Sequence, residues 1–452
     1  MVRHIRTAIA IYAAGLLASG ALARAEDAPP LHPILDPAFQ LELNASTNSV
    51  LSVSDEIDVL VDGKESYPMR WRMLEGAQDS IHITTLYIFH DATTKRLGDM
   101  LVRKKNEGVD VKIIVYGIYA WGNPFFYRKM RQNDIEVQKY SGVAEVLLQP
   151  YRPMRFWKRH LHDKYVVVDG REALMGGMNW SSRYAQGGRQ GGRAAWRDTD
   201  IWVRGPQAAI VEKEFQKRWY LEEGEDAKAE AVSAELEAIY AQPLYPPEQE
   251  YMDFFTPSSD APGGYRVEKL TRFLYQQPFE QNGATYMTTY YKEVMDRAQS
   301  HIWWQSIATR PAPVQKKALL EAAARGVEVR LMSNSERNMR MIPIGGWPLY
   351  RLAKAGYREL LEGGIRIFEY HGDAPMHAKG FLVDDVVTVV GSYNATFTAE
   401  KYYTENAVAT HDTGAIQEVI DMFEDDLAQC TEVTLEDLEP PKQRLTHARR
   451  GR

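Results

Sequence analysis

The chain has 452 residues, which is enough for two domains of ordinary size, each with its own hydrophobic core. Hydrophobic residues make up 44% of it and charged residues 25%, and this balance excludes a disordered or a fibrous protein. The formal net charge of -7 argues against a protein that coats nucleic acid through its bulk charge.

Residues 1–25 predict a cleaved secretory signal peptide. A positive start with Arg3 and Arg6 leads into the apolar run Thr7–Leu22, and Ala23-Arg24-Ala25 then places small residues where a signal peptidase reads. The alternative is an uncleaved membrane anchor, for which the apolar run is short. We therefore expect a periplasmic or secreted protein. Because Cys430 is the only cysteine, no intrachain disulfide can form, and we expect no catalytic role for it.

The rest of the sequence contains two copies of one unit. Three pairs of segments match in the same order: Ala77–Ile81 with Ala298–Ile302, Gly108–Lys112 with Gly326–Arg330, and His162–Asn179 with His377–Asn394. The last pair keeps a constant offset along its whole length. Two copies of a single domain are the simplest explanation of such a repeat.

Each copy shows the same alternation of helical and strand-like segments. The first copy predicts helices over Ser66–Ala77 and Lys95–Asn106 and a β-rich run and a strand over Ser80–Phe89 and Val109–Tyr116. The second predicts helices over Tyr286–Ala298 and Val314–Arg325 and strands over His301–Ile307 and Val327–Met332. Apolar, β-branched runs between helical segments predict an α/β fold, here two tandem α/β sandwich domains with buried strands.

The repeat and the composition together predict the domain limits. We expect an N-terminal extension over residues 26–53, a first domain over 54–220, a linker over 221–262, a second domain over 263–430 and a basic, disordered tail over 431–452. The linker is rich in proline and acidic residues, although Ala227–Ala241 within it has a helical pattern.

Each copy contains a His-x-Lys motif followed by four residues and an aspartate. The motif residues are His162, Lys164 and Asp169 in the first copy and His377, Lys379 and Asp384 in the second. In an extended strand residues i and i+2 point to the same face, so each His lies beside its Lys while the apolar residues that follow anchor the strand in the core. Each aspartate precedes a turn, and we expect it to stabilise structure. One such motif often arises by chance, whereas two with the same spacing do not.

Further polar residues follow each motif. Asn179 and Asn394 end short glycine-containing segments, and Ser392 lies in the second of these; with the glycine N–H groups they are candidate ligands of an oxyanion. Further along, the two copies supply the acids Asp198 and Glu405.

These residue types form a near-symmetric set that suits a phosphodiester. The lysines can hold the nonbridging phosphate oxygens as point charges. One histidine can attack phosphorus to form a phosphohistidine while the other protonates the leaving alcohol. An acid at each imidazole would fix its tautomer, and water or an alcohol would then attack the intermediate.

The paired motifs resemble those of the phospholipase D superfamily, and the order of the elements is most similar to its bacterial phospholipase D and cardiolipin-synthase-like branch. The likeness extends over Ser54–Asp425. It implies that the two halves pack about a pseudo-twofold axis, that one active site lies between them, and that neither a metal nor another cofactor is needed.

The resemblance also implies roles for individual residues. The catalytic set is His162, Lys164, His377, Lys379, Asp198 and Glu405, with Asn179, Asn394 and Ser392 at the phosphate. Asp200 is an alternative to Asp198, because Gly187–Gly192 looks like an insertion in that loop. Gly177 departs from the serine that often fills its position, which puts one hydrogen bond of the first half in doubt. By analogy His162 is the nucleophile and His377 the acid, although the symmetry of the site permits the reverse.

Two segments bear on the substrate. Tyr151–His160 carries four cationic side chains interleaved with aromatic ones, and Asn338–Arg351 is an apolar loop broken by Gly and Pro and flanked by arginine. Both suit a membrane interface rich in anionic headgroups. The first also suits single-stranded nucleic acid or a strand edge with solvated arginines, and the second a buried loop between domains.

We favour a phospholipid substrate at a membrane surface, either cleaved by water to phosphatidic acid or transferred to an alcohol acceptor. One alternative is an exported nuclease of the same superfamily, which the acidic chain disfavours. Another is a catalytically silent lipid- or polyanion-binding protein, which the intact pair of motifs disfavours. The sequence leaves the headgroup, the acceptor and the oligomeric state open.

Overall fold

The structure is a computed structural model that describes residues 30–141, 159–185, 194–242 and 250–439, except 280, 282 and 344. The expected signal peptide, residues 1–25, lies outside the described residues, as does most of the basic and aromatic segment Tyr151–His160.

The elements follow the chain in three groups. Before the first half come α1 (Pro37–Thr47) and β1 (Leu51–Val53). The first half contains β2 (Glu56–Val61), α2 (Asp62–Gly76), β3 (Ser80–Thr85), α3 (Ala92–Asn106), β4 (Asp110–Tyr116), α4 (Pro124–Gln132), β5 (Glu136–Tyr140), β6 (His160–Leu161), β7 (Tyr165–Val168), β8 (Glu172–Gly176), α5 (Ser182–Ala185), β9 (Thr199–Arg204), α6 (Pro206–Glu223) and α7 (Asp226–Tyr240). The second half contains β10 (Phe255–Pro257), β11 (Tyr265–Val267), β12 (Leu270–Gln276), α8 (Tyr286–Asp296), β13 (His301–Gln305), α9 (Pro313–Ala324), β14 (Glu328–Asn334), α10 (Glu336–Arg340), α11 (Gly346–Lys354), α12 (Tyr357–Glu362), β15 (Arg366–Tyr370), β16 (Gly380–Val383), β17 (Val387–Gly391), α13 (Phe397–Tyr402), β18 (Tyr403–Thr410), α14 (Thr413–Leu427) and β19 (Cys430–Val433). Short 3-10 helices span Pro33–Leu35, Tyr119–Gly122, Tyr251–Phe254, Pro262–Gly264 and Leu435–Leu438.

Each half contributes one large mixed sheet, and the two sheets have equivalent strand orders. The first runs β2-β9-β8-β7-β3-β4-β5, and the second runs β12-β18-β17-β16-β13-β14-β15, with β1 and β19 added at its two edges. In each sheet three parallel strands lie beside antiparallel ones, and the strand that follows the His-x-Lys motif pairs antiparallel with the first of the three. The predicted α/β fold with two equivalent domains is confirmed.

The two sheets pack face to face and are covered by helices on their outer sides. The central core between them includes Tyr165, Val167 and Ile201 from the first sheet and Leu382, Val390 and Val408 from the second. Because both faces of each sheet are covered, β7 and β16 are buried along their whole length, which explains their uninterrupted apolar sequence. The start of each of these strands is thereby fixed in the middle of the molecule.

The predicted linker, residues 221–262, needs correction. The helix α6 continues to Glu223, and α7 packs against it and places Val232 and Leu236 in the central core. Beyond residues 243–249, which lie outside the described part of the chain, Tyr251 and Phe255 pack into the outer core of the second half. The proline-rich composition suggested a linker, but Val232, Leu236, Tyr251 and Phe255 are buried in the cores of the two domains.

The prediction of a disordered tail from residue 431 is also wrong at its start. Cys430–Val433 forms β19, which pairs antiparallel with β15, and Val433 is buried. Residues 440–452 lie outside the described residues. At the other end of the chain, the expected N-terminal extension packs on the second half: Phe39 and Leu43 of α1 enter its outer core, and β1 pairs with β12.

Candidate active site

The two His-x-Lys motifs lie at the same edge of their sheets. Tyr165, directly after the first motif, pairs with Thr84 near the end of β3, and Phe381, two residues after Lys379, pairs with Trp304 near the end of β13. Each motif is therefore placed at the carboxyl ends of the parallel strands. All four motif side chains, His162, Lys164, His377 and Lys379, are buried.

The two motif aspartates lie at the opposite ends of these strands. The Asp169 carboxylate accepts hydrogen bonds from the backbone N–H groups of residues 78, 79 and 80 at 2.7–3.2 Å. The Asp384 carboxylate accepts from those of residues 299, 300 and 301 at 2.7–2.8 Å, and His32 Nε2 lies 3.0 Å from it. Both aspartates therefore tie the turn after their strand to the start of the neighbouring strand, away from the histidines.

Each histidine is paired with an acid from the other half of the molecule. Nδ1 of His162 lies 3.0 Å from the carboxylate of Glu405, and Nδ1 of His377 lies 2.7 Å from that of Asp198. Asp200 makes no such contact, because its carboxylate is bound to Arg70 at 2.7 Å. Since Nδ1 faces an acid in both rings, Nε2 is the nitrogen left to face a substrate.

Backbone contacts dock each acid-bearing segment on the opposite motif. On one side, the His162 N–H donates to Thr404 Oγ1 at 3.1 Å and the Lys164 N–H donates to Asn406 Oδ1 at 2.8 Å. On the other, the His377 N–H donates to the carbonyl oxygen of Arg197 at 2.6 Å. The two halves therefore position each other's histidines through short-range bonds, so the site exists only when they are assembled.

Ion pairs inside the junction reinforce this docking. Arg197 Nε donates to Asp426 of the second half at 2.8 Å, and Arg218 Nη1 donates at 2.7 Å to Asp163, the middle residue of the first motif. Asp163 also accepts from the hydroxyl of Thr404. Sequence reasoning missed these supporting residues. The sequence offered one sign of them: the middle residue of the first motif is the acid Asp163, whereas that of the second is Ala378, which suggests a charged partner for the first motif alone.

Burial and like charge set the protonation of the motif residues. Burial lowers the pKa of Lys164 to about 8, and burial together with the charge of Lys164 lowers the pKa of Lys379 to about 7. Burial and then the two lysines lower the pKa of His162 and of His377 well below the ordinary histidine value. A phosphate anion in the site would oppose all four shifts, because it stabilises the protonated form of each group.

The two acids differ in what supports them. Burial raises the pKa of both Asp198 and Glu405. The carboxylate of Glu405 accepts from the hydroxyl of Ser392, whereas Asp198 accepts from the backbone N–H of Thr199 at 2.9 Å. A Cβ at Gly177 would lie 1.9 Å from Asp198 Oδ1. The glycine in place of serine therefore makes room for the shorter acid, and Ser392 binds Glu405 in the structure.

The asparagines lie at the floor of the site. Asn179 Oδ1 accepts from Thr85 Oγ1 at 3.3 Å, and Asn394 Oδ1 accepts from Ser306 Oγ at 3.4 Å. Both acceptors are thus turned toward the protein, which leaves the amide N–H groups as the donors available to an anion, although that of Asn179 also lies 3.4 Å from the Tyr184 hydroxyl.

Aromatic rings flank both histidines, and the sequence reading did not single them out. The ring of Tyr403 lies 5.2 Å from that of His162, and the rings of Tyr184 and Trp196 each lie 5.8 Å from that of His377. They place aromatic surface beside both imidazoles. Within the part of the chain that the structure describes, no group of three or more His, Cys, Asp or Glu side chains could hold a metal ion.

The apolar loop Asn338–Arg351 contains the end of α10 and the first six residues of α11. Trp347 and Met341 are exposed on it, so the expectation that it is a buried loop between domains does not hold. No helix among the described residues is long and apolar enough to cross a membrane.

Comparison with known proteins identifies relatives along most of the chain. The family described as "Cardiolipin synthase, PLD-like domain" matches residues 71–219 and 291–427. The cardiolipin synthase of Alkalihalophilus pseudofirmus is 24% identical over 360 residues, which are 79% of this chain and 62% of that protein. Cardiolipin synthase A of Pseudomonas aeruginosa is 26% identical over 392 residues, which are 86% of this chain and 71% of that protein.

Two solved structures share the fold. Phosphatidylserine synthase of Haemophilus influenzae superimposes with a TM-score of 0.62 at 14% identity, covering 91% of this chain and 96% of that one. Polyphosphate kinase of Porphyromonas gingivalis has a TM-score of 0.51 at 12% identity and covers 84% and 49% of the two chains. With the family match in both halves, and with a His-x-Lys motif in each, the chain belongs to the phospholipase D superfamily, in its cardiolipin-synthase-like branch.

Proposed function

We propose that this protein is a phosphatidyltransferase or phosphodiesterase that acts on phospholipids through a phosphohistidine intermediate. The observation that carries the proposal is the pair of histidines held by acids from opposite halves, with two buried lysines between them. The names of the relatives support a phospholipid as the substrate, since two of those reported are cardiolipin synthases.

In the first step His162 attacks and His377 protonates. The neutral His162 donates Nδ1–H to Glu405, so the lone pair on Nε2 is free to form a bond to phosphorus. The bond between phosphorus and the leaving alcohol breaks, and Nε2–H of His377 gives its proton to the leaving oxygen. Glu405 offsets the positive charge that develops on His162.

The proton on His377 requires the substrate. Burial and the lysines hold the pKa of this imidazole low in the free site. When a phosphodiester anion binds between Lys164 and Lys379, its charge offsets theirs, and Asp198 at Nδ1 stabilises the imidazolium. Binding of the substrate therefore favours the protonated form in which His377 acts as the acid.

In the second step the roles of the groups reverse. An acceptor O–H gives its proton to His377, its oxygen attacks phosphorus, and the bond to His162 breaks. A water acceptor yields phosphatidic acid, and a phospholipid alcohol yields a transfer product. The buried, aromatic surroundings of both imidazoles favour an alcohol that arrives with its own apolar body over free water.

We also propose that the protein acts outside the cytoplasm. The arrangement of charged, apolar and small residues over positions 1–25 supports export with cleavage after Ala25. Mass measurement of the chain recovered from the producing cell tests this proposal, because an intact N-terminus starting at Met1 would contradict it.

The function is tested by incubating the purified chain with phosphatidylglycerol vesicles and separating the products by chromatography and mass spectrometry. We expect a diphosphatidyl product with release of glycerol, or phosphatidic acid if water is the acceptor. His162→Ala and His377→Ala should each abolish turnover, whereas His371→Ala, which changes an exposed histidine outside the site, should not.

Three outcomes would contradict the proposal. Near-normal turnover in either site variant would exclude a shared site. Cleavage of single-stranded DNA without any lipid turnover would indicate a nuclease with the same histidine chemistry. Binding of lipid without turnover of any phosphodiester would indicate a silent binding protein.

A further inference from the structure

We propose that two exposed aromatic segments on either side of the active site form a surface that docks on anionic phospholipid bilayers. We call this surface the docking rim, and it consists of Trp121 and Phe125 in the first half and Met341, Trp347 and Leu352 in the second. The proposal rests on the proposed function, because it explains how a membrane-bound substrate reaches the site.

The two parts of the docking rim occupy equivalent places in the two halves. Trp121 and Phe125 follow β4, and the three residues of the second half follow β14, which has the same position in its sheet. Both strands end at the edge that carries the motifs. Tyr116 at the end of β4 bonds to His160 at 2.8 Å, and Asn334 at the end of β14 donates to the carbonyl oxygen of Met376 at 2.6 Å.

The exposure of these side chains is high for their types. Trp121 is 77% exposed, Phe125 62% and Leu352 50%, with Trp347 at 40% and Met341 at 38%. Among the described residues ten large hydrophobic side chains are exposed, and eight of them follow strand ends at the active-site edge. Leu435, by contrast, follows β19, whose end pairs with the start of β15 at the far edge. An apolar surface concentrated at one edge indicates an interaction site.

Positive charge is concentrated in the same segments although the whole chain is acidic. In the first half Arg128, Lys129 and Arg131 lie on α4, the helix that carries Phe125, and Lys129 pairs with Asp99. Between Glu336 and Glu359 the charged side chains are Arg337, Arg340, Arg351, Lys354 and Arg358. Arg340 pairs with Glu336, Lys354 with Glu369 and Arg358 with Glu439. Aromatic side chains interleaved with Arg and Lys match the interface of a bilayer with anionic headgroups, where indole rings insert at headgroup level and the cations meet phosphate.

The second-half part of the docking rim is held in place before any membrane binds. The guanidinium groups of Arg340 and Arg351 lie 5.1 Å and 5.5 Å from the centroid of the Trp347 ring, and its Nε1–H donates to Glu336 at 3.2 Å. A side chain fixed in an exposed position loses little conformational entropy when it inserts. The arrangement thus favours insertion of a preformed surface over folding on the membrane.

The test compares two variants with a matched control. Trp121→Ala/Phe125→Ala removes one part of the docking rim, Trp347→Ala removes an anchor of the other, and Leu435→Ala removes an exposed apolar side chain at the far edge. Binding is measured by co-sedimentation with phosphatidylcholine vesicles that contain phosphatidylglycerol. Turnover is measured on these vesicles and on a short-chain, monomeric phosphatidylglycerol.

We expect Trp347→Ala to bind the vesicles about tenfold more weakly, since one inserted aromatic side chain accounts for about that factor, and Trp121→Ala/Phe125→Ala, which removes two, to bind about 100-fold more weakly. Turnover on vesicles should fall in parallel, turnover of the monomeric lipid should be unchanged, and Leu435→Ala should behave as the parent chain. Raised salt should weaken binding of the parent chain.

Several results would overturn the proposal. Vesicle binding by both rim variants equal to that of the parent chain would exclude the docking rim. Loss of single-stranded DNA binding in the rim variants, with vesicle binding intact, would assign the surface to nucleic acid. A failure of the proposed function is distinguishable, because the parent chain would then turn over neither the vesicles nor the monomeric lipid, whatever its vesicle binding.

Discussion

Replacing Glu405 with glutamine removes the negative charge that faces Nδ1 of His162 and keeps an oxygen of nearly the same size there. The contact is buried and 3.0 Å long, so the change removes the charge from a hydrogen bond and leaves most of the packing intact. A hydrogen bond to a buried charged group contributes about 1.5–3 kcal/mol. Because about 1.4 kcal/mol corresponds to a factor of ten in rate, we expect kcat to fall about 10- to 100-fold.

The same substitution should not destabilise the fold. Burial raises the pKa of Glu405, and a carboxyl whose folded pKa lies above its unfolded pKa destabilises the protein at neutral pH, since folding must either bury the charge or bind a proton. Glutamine removes this effect. The free energy of unfolding at neutral pH is therefore expected to stay equal or rise, and urea denaturation measures it.

The assay separates this interpretation from a general loss of structure. Single-turnover kinetics with a phospholipid, quenched in alkali to preserve phosphohistidine, should show slower formation of the intermediate in Glu405→Gln. Glu369→Gln changes another buried carboxylate, which pairs with Lys354 outside the site, and should leave kcat unchanged. If Glu405→Gln retained kcat within a factor of about two, or lost activity only together with stability, the pairing of acids across the two halves would have no catalytic role.

Two further predictions concern the charges and the space inside the site. Burial lowers the pKa of Lys379 to about 7 and that of Lys164 to about 8, so the free enzyme loses these charges as the pH rises. We expect kcat/KM to fall between about pH 7 and pH 9 while kcat changes less. A flat profile of kcat/KM against pH would contradict this prediction. Gly177→Ser places a Cβ 1.9 Å from Asp198 Oδ1, so we expect kcat to drop at least tenfold. The control is Gly76→Ser, where a Cβ meets nothing within 4 Å, and it should retain full activity. Equal activity of the two variants would refute the steric argument.

The sequence was informative where local pattern decides the structure. The strand after His162 could be recognised because Tyr165–Val168 is an uninterrupted apolar run, which only a strand covered on both faces requires. The predicted helices lie within a few residues of their observed bounds, because helical periodicity is also a local pattern. The helix α3, for example, begins at Ala92, three residues before the predicted start, and Asp91 caps it.

Contacts between the two halves were beyond the reach of such patterns. Nothing local in the sequence shows that Glu405 lies at His162 and Asp198 at His377, since each pair is separated by a whole domain. The ambiguity between Asp198 and Asp200 had the same origin. Asp198 and Asp200 are two residues apart at the start of a strand, so both side chains point to the same side. Only the structure shows that Asp200 binds Arg70 of α2 within the first half, which leaves Asp198 for His377.

The exchange of acids between the halves explains why this site requires two domains in one molecule. A half that carried its own acid beside its own histidine would hold a complete pair and could form half a site alone. Here the side-chain oxygens of Thr404 and Asn406 accept from backbone N–H groups of the first motif, and the backbone carbonyl oxygen of Arg197 accepts from the N–H of His377. The histidines and lysines of the site are buried at the junction of the two halves, where each histidine is paired with an acid of the opposite half. The packing of the two halves buries both imidazoles, and this burial lowers the pKa of each. The protonation of the catalytic histidines therefore depends on assembly of the two halves.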